Sequence, residues 1–168
     1  MPDNITGLVT PAKVREVIDN LLDTIKPSYG SLATTGTMIQ VINITPSLLQ
    51  FGAIETMDAP EWSGTTTSIT RSSSVGELVA TSFQLEGDAL LPANTTLTFT
   101  IMKDGVATEG QLKISSIKND DQDISFSLFS YNHSTGPCTY TVQVESNANA
   151  RSVTFGNCFL IAMNEVRR

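Results

Sequence analysis

Leu97, Phe99 and Ile101 alternate with Thr96, Thr98 and Thr100 in an unbroken period of two. Successive side chains of a strand point to opposite faces, so this run has one apolar face that must be covered and one polar face that need not be. The same pattern recurs where Ile124, Phe126 and Leu128 alternate with Ser125 and Ser127. It returns where Tyr140, Val142 and Val144 alternate with Thr139, Thr141, Gln143 and Glu145. Three half-apolar strands far apart in sequence require facing sheets around a shared interior. Phe99, Ile101, Phe126, Leu128, Val142 and Val144 are its expected core.

Further runs with strand character are Met38–Ile44, Thr65–Thr70, Glu77–Leu85, Thr108–Ile117 and Ser152–Met163, which brings the expected count to eight. Asp104-Gly105 between two of them is the strongest hairpin turn in the chain. Pro60–Gly64, Pro92–Asn94 and Ser134–Pro137 have loop composition. Eight short antiparallel strands with regular turns predict a mainly β fold, an eight-stranded antiparallel jelly-roll sandwich. An immunoglobulin-like sandwich is the rival, but the single Trp62 falls in a loop-like stretch rather than between the two cysteines.

Ahead of the strands lies a segment of different period. Thr10 can cap a helix, Pro11 suits its first position and Pro27 ends it after Lys26. Within it Val14, Ile18, Leu21 and Ile25 recur at spacings of four, three and four, and Val17 and Leu22 widen the stripe. Such a helix, about 24 Å long, is marginal alone and must pack on its own domain, on sister helices or on another protein. These six residues are the candidate partner-binding set. The organisation expected is an N-terminal helical arm over residues 1–30, a linker and first strand over 31–64, and a head over 65–168 that forms one globular unit with 31–64.

The balance of 17 acidic against 10 basic residues, a net charge of −7, argues against a nucleic-acid partner, which phosphate neutralisation would demand. No run approaches the ~20 apolar residues of a membrane-spanning helix, so no membrane partner is expected. The opening Met1–Thr6 has neither a basic nor a long apolar region, and a secretory signal is not expected. Charged residues are only 16% of the chain, so much of its surface must be Ser, Thr, Asn and Gly. That composition suits exposed sheet faces and flanks covered by copies of the same subunit.

Enzymatic chemistry finds little footing. The only histidine, His133, sits in a polar turn-like stretch without a nucleophile frame. Cys138 and Cys158 lack metal-ligand spacing, and whether they pair is open from sequence. Asn119-Asp120-Asp121-Gln122-Asp123 has the oxygens to ligate calcium but lacks the glycine and glutamate of an EF-hand loop, and reads as a solvated turn. Glu77, Glu86, Asp88, Glu109 and Glu145 single out no facing carboxylate pair. Tyr29, Trp62 and Tyr131 are candidates for a sugar platform, though aromatics near strand ends more often close a core. No catalytic residue, cofactor or metal site is expected.

Thr10–Ile18, the joint Lys26–Leu32 and the β-rich remainder together resemble small structural proteins of tailed bacteriophage particles. From roughly Thr65 to Met163 the chain resembles the jelly-roll head shared by tumour-necrosis-factor and complement globular-head domains; Leu91–Gly105 is similar to the strand-turn segment of such phage heads. The resemblance implies a homotrimer with Ser152–Met163 as the last strand near its axis. It further implies a decoration, cement or short-fibre role in the virion, assembled in the host cytoplasm. The arm would dock on the major capsid protein or a neck or portal-region protein. The alternative it implies is a head that binds a host glycan or receptor through loops such as Asp58–Gly64 and His133–Pro137.

Overall fold

The three alternating runs become strands of two facing antiparallel sheets, two of them inside one sheet and the Ile124–Leu128 run on the edge strand of the other. The computed structural model describes residues 11–25, 28–34, 36–58, 60–72, 79–117 and 119–164, with the side chains of 19–25 and 79 outside that description. In chain order the elements are α1 (Pro11–Ile25), β1 (Tyr29–Ala33), β2 (Met38–Ile42), β3 (Ser47–Leu48), β4 (Ala53–Met57), β5 (Trp62–Thr65) and β6 (Ser68–Arg71). They continue with β7 (Val79–Leu91), β8 (Thr96–Lys103), β9 (Val106–Ser115), β10 (Gln122–Ser134), β11 (Cys138–Ser146) and β12 (Arg151–Asn164). Sheet one runs β10-β7-β12-β1-β4, with β2 also on β12; sheet two runs β5-β6-β11-β8-β9, with β3 also on β11.

The interior is filled from both sheets. Phe99 of sheet two stacks on Phe126 of sheet one with ring centroids 4.8 Å apart and meets Phe155 edge-on at 6.3 Å. Phe83 and Tyr140 approach to 4.1 Å. All six expected core residues are buried. Asp104 and Gly105 turn with φ of 50° and 78°, both positive as a type I′ hairpin requires, and join β8 to β9 at Lys103 and Val106.

The described residues form twelve strands where the sequence suggested eight. The additional four are short: β1, β3, β4 and β5. β1 lies in what reads as a turn-rich joint because its Tyr-Gly-Ser has turn composition. Gly30 is there for close approach, since a Cβ would lie 2.9 Å from both Ile69 Cγ2 and Met57 Sδ. The expected strand Thr65–Thr70 is a hairpin, β5 and β6 turning at residues 66–67. Trp62 therefore starts a strand rather than sitting in a loop, and is buried with its Nε1 donating to Ser28 Oγ at 3.0 Å. His133 lies on β10 opposite Ala80 of β7, not in a turn. The Thr10 cap and the terminating Lys26-Pro27 lie outside the described residues.

Candidate self-association surface

The two outward faces of the sandwich differ in chemistry. On sheet two the outward positions of β8 and β11 are Thr96, Thr98, Thr100, Thr139, Thr141, Gln143 and Glu145, a solvated surface. On sheet one the register builds apolar rows instead. Phe129 of β10 lies beside Gln84 of β7, then Ile161 of β12; one row on, Tyr131 is followed by Ser82, Met163 and Tyr29. Phe129 is 64% exposed, and Tyr131 and Met163 are also open to solvent. Toward the opposite end, Leu90 is followed across the sheet by Thr154 and Ile39, with Val41 beside Ser152; Leu90, Ile39 and Val41 are exposed. Large apolar groups spread across one face of one sheet mark a surface meant to be covered.

Between the two apolar areas a bulge in β12, from Gly156 to Phe159, opens a groove of about 470 Å³ lined by Glu86, Asp88, Ser125, Ser127, Asn157 and Phe159 among others. Its carboxylates already have partners in the fold. Gln84 Nε2 and Ser127 Oγ donate to Glu86, and Ser125 Oγ donates to Asp88 Oδ1 at 2.7 Å. Beneath it Cys158 is fully buried, and burial together with the negative charge of Asp88 pushes its thiol up to about 12. Cys138 is buried in sheet two, burial and its proximity raise the Tyr140 hydroxyl, and both thiols are free.

At the end of the sandwich where Phe129 and Tyr131 lie, a fully buried Arg71 ties several segments together. Its Nη2 donates to Ser134 Oγ at 2.5 Å and to the Gly136 carbonyl at 3.0 Å, and its Nη1 to Asn164 Oδ1 at 3.5 Å. Asn164 in turn donates through its backbone N–H to the Ser28 carbonyl at 3.0 Å and through Nδ2 to Ser28 Oγ at 3.1 Å. The root of the arm is thus fastened to the end of β12. The loops Asp58–Gly64 and His133–Pro137 meet here, but Asp58 accepts from Tyr29 N–H and Glu61 from Ser28 and Asn164, so these acidic groups serve the fold. With Trp62 buried, Tyr29, Trp62 and Tyr131 do not form an open platform. The Asn119–Asp123 stretch behaves as a turn: Asp121 accepts from Ala93 N–H at 2.8 Å and Gln122 from Ile117 N–H at 2.7 Å. Among the described residues no group of three His, Cys, Asp or Glu is placed to hold a metal.

Of the six arm residues, Val14, Val17 and Ile18 are exposed on α1, and the side chains of Leu21, Leu22 and Ile25 lie outside the described residues. Sequence reasoning missed the sheet-one face. Its signal is legible afterwards in Phe159-Leu160-Ile161-Ala162-Met163, which is apolar at every position, and in Phe129 and Tyr131, which replace the serines of the outward side of β10. A strand apolar on both sides is one whose second side is a candidate for cover.

No protein-family model matches the sequence. No curated protein matches it. Among solved structures the chain is similar to murine APRIL at pH 8.5, with TM-score 0.52 and 11% identity over 82% of this chain and 98% of that one. Eiger TNF from S. frugiperda gives 0.47 at 14% identity over 84% and 94%, and the globular domain of the zebrafish complement 1qA protein gives 0.45 at 7% over 85% and 99%. The likeness to murine APRIL shows the fold, a two-sheet sandwich consistent with a jelly roll.

Proposed function

We propose that this chain is a non-enzymatic structural subunit that assembles as a homotrimer by burying the outward face of sheet one, and that its arm fastens the trimer to the capsid or neck of a phage particle. The observation that carries the self-association is the contrast between Phe129, Ile161 and Met163 on the outward face of sheet one and the threonines on the outward face of β8 and β11 in sheet two. Three copies, rather than two, follow from the likeness of the sequence to trimeric jelly-roll heads. The reading that sets it on a particle rests on the resemblance of arm, joint and head to small structural proteins of tailed bacteriophages.

Light scattering coupled to size exclusion tests the assembly, with a mass three times 18.1 kDa expected. A single-chain mass at micromolar concentration overturns it. Mass spectrometry of purified particles with copy counting tests the location. Glycan-array binding by the purified protein, without incorporation into particles, would replace the structural reading with the glycan- or receptor-binding one.

A further inference from the structure

We infer that the apolar stripe of the arm is itself a self-association seam, so that in the trimer three α1 helices pack side by side as a short parallel coiled coil continuing the head's covered face. This seam presupposes the trimeric head proposed above and names the partner of its arm: two sister arms.

The spacing carries the first part. Val14, Ile18, Leu21 and Ile25 fall at the d, a, d and a positions of a heptad, which places Val17 at g and Leu22 at the next e. In a parallel coiled coil a g residue faces the e residue five positions later on the neighbouring helix. Val17 of one copy therefore meets Leu22 of the next. An apolar g-to-e pair gives each helix a contact beyond the a and d seam, which suits an arrangement with a neighbour on either side. A groove on an unrelated protein requires an apolar face but no such matched pair.

Position carries the second part. Three peptide steps, at most about 11 Å, separate Ile25 from Ser28. Ser28 is held by Asn164 and Trp62 at the end of the sandwich where Tyr131, Met163 and Tyr29 share a row. Covering that row with a sister head brings the arm roots together. A helix of 15 residues is marginal alone, but tethering by the head raises its effective concentration to the millimolar range, where a two-heptad seam closes. The stripe is then consumed within the trimer, and the polar faces of the arm are left to meet the particle.

Full-length I18C and E16C variants test this. Position 18 lies in the seam and position 16 at an outer f site, while native Cys138 and Cys158 are buried and do not compete. After mild oxidation with diamide, a non-reducing gel is expected to show covalent dimer from I18C and none from E16C, both proteins keeping the trimer mass in light scattering. A trimer mass with no dimer from I18C, or with equal dimer from both variants, overturns the seam while leaving the trimeric head standing, and assigns the stripe to a foreign groove. A single-chain mass for the unsubstituted protein overturns the head and the seam together.

Discussion

Replacing Phe129 by Ser separates a covered face from a merely greasy one. Phe129 is 64% exposed in the single subunit, and an aromatic side chain presents roughly 200 Å², so covering it withdraws about 130 Å² from water. At ~25 cal/mol per Å² that is worth about 3 kcal/mol per copy, and on the order of 10 kcal/mol for three copies covered together. Each tenfold in an association constant takes ~1.4 kcal/mol, and the midpoint concentration of a trimer responds as the square root of that constant. The dissociation midpoint should therefore rise by about three orders of magnitude. The fold of the subunit should be spared, because exposed substitutions change intrinsic stability by only about 0.5 kcal/mol. Light scattering over a dilution series reads the first effect and near-ultraviolet circular dichroism the second. An unchanged midpoint with intact tertiary signal would show that this face stays in water and refute the assignment.

Phe126→Ala removes a buried ring stacked on Phe99 and should cost roughly 3–5 kcal/mol of unfolding free energy by denaturant titration; a melting point within a degree or two of the parent would refute the register of β10. Cys158, its thiol pushed up to about 12 from an ordinary 9, makes the unfolded chain the better acid. Its contribution to stability is intact below pH 9 and falls as pH rises from 9 toward 12, by roughly 4 kcal/mol at the upper end, which C158A should remove from a pH series of melts. Gly105→Ala meets no atom within 4 Å yet holds φ at 78°, so it should destabilise by about 1–2 kcal/mol through backbone strain alone; a neutral result by denaturant titration would contradict the type I′ turn.

The long strands were legible because each carries its own period. Leu97, Phe99 and Ile101, or Tyr140, Val142 and Val144, announce a half-buried strand without reference to the rest of the chain, and all six are buried. Strands of two to five residues carry too few alternations to stand above composition. β3 is only Ser47–Leu48, held by pairing with Val144 and Gln143, and β1 hides behind the turn-forming Tyr-Gly-Ser of its first half. Trp62 is the sharper case. Pro60 and Gly64 flank it with loop residues, while it packs into the shared core and its Nε1 finds its partner in Ser28, more than thirty positions away. The apolar outward face of sheet one was illegible for a related reason: the outwardness of Phe129, Ile161 and Met163 becomes visible only when β10, β7 and β12 are set side by side in register.

Arg71 links the arm root to the strand ends beside the apolar row in one hydrogen-bonded network. A guanidinium with no exposed surface is expensive to bury, and here Ser134, the Gly136 carbonyl and Asn164 offset part of that cost by accepting from its Nη1 and Nη2. Those partners come from the end of β10, the β10–β11 turn and the end of β12, and Asn164 passes the connection to Ser28 at the arm root. The same strand ends carry Tyr131 and Met163 of the exposed apolar row. In the assembly proposed above, the arm root and the apolar row beside it are therefore tied to one another through Asn164. The proposed contacts of heads and arms would then meet at one fixed point of the fold rather than at two independent ones.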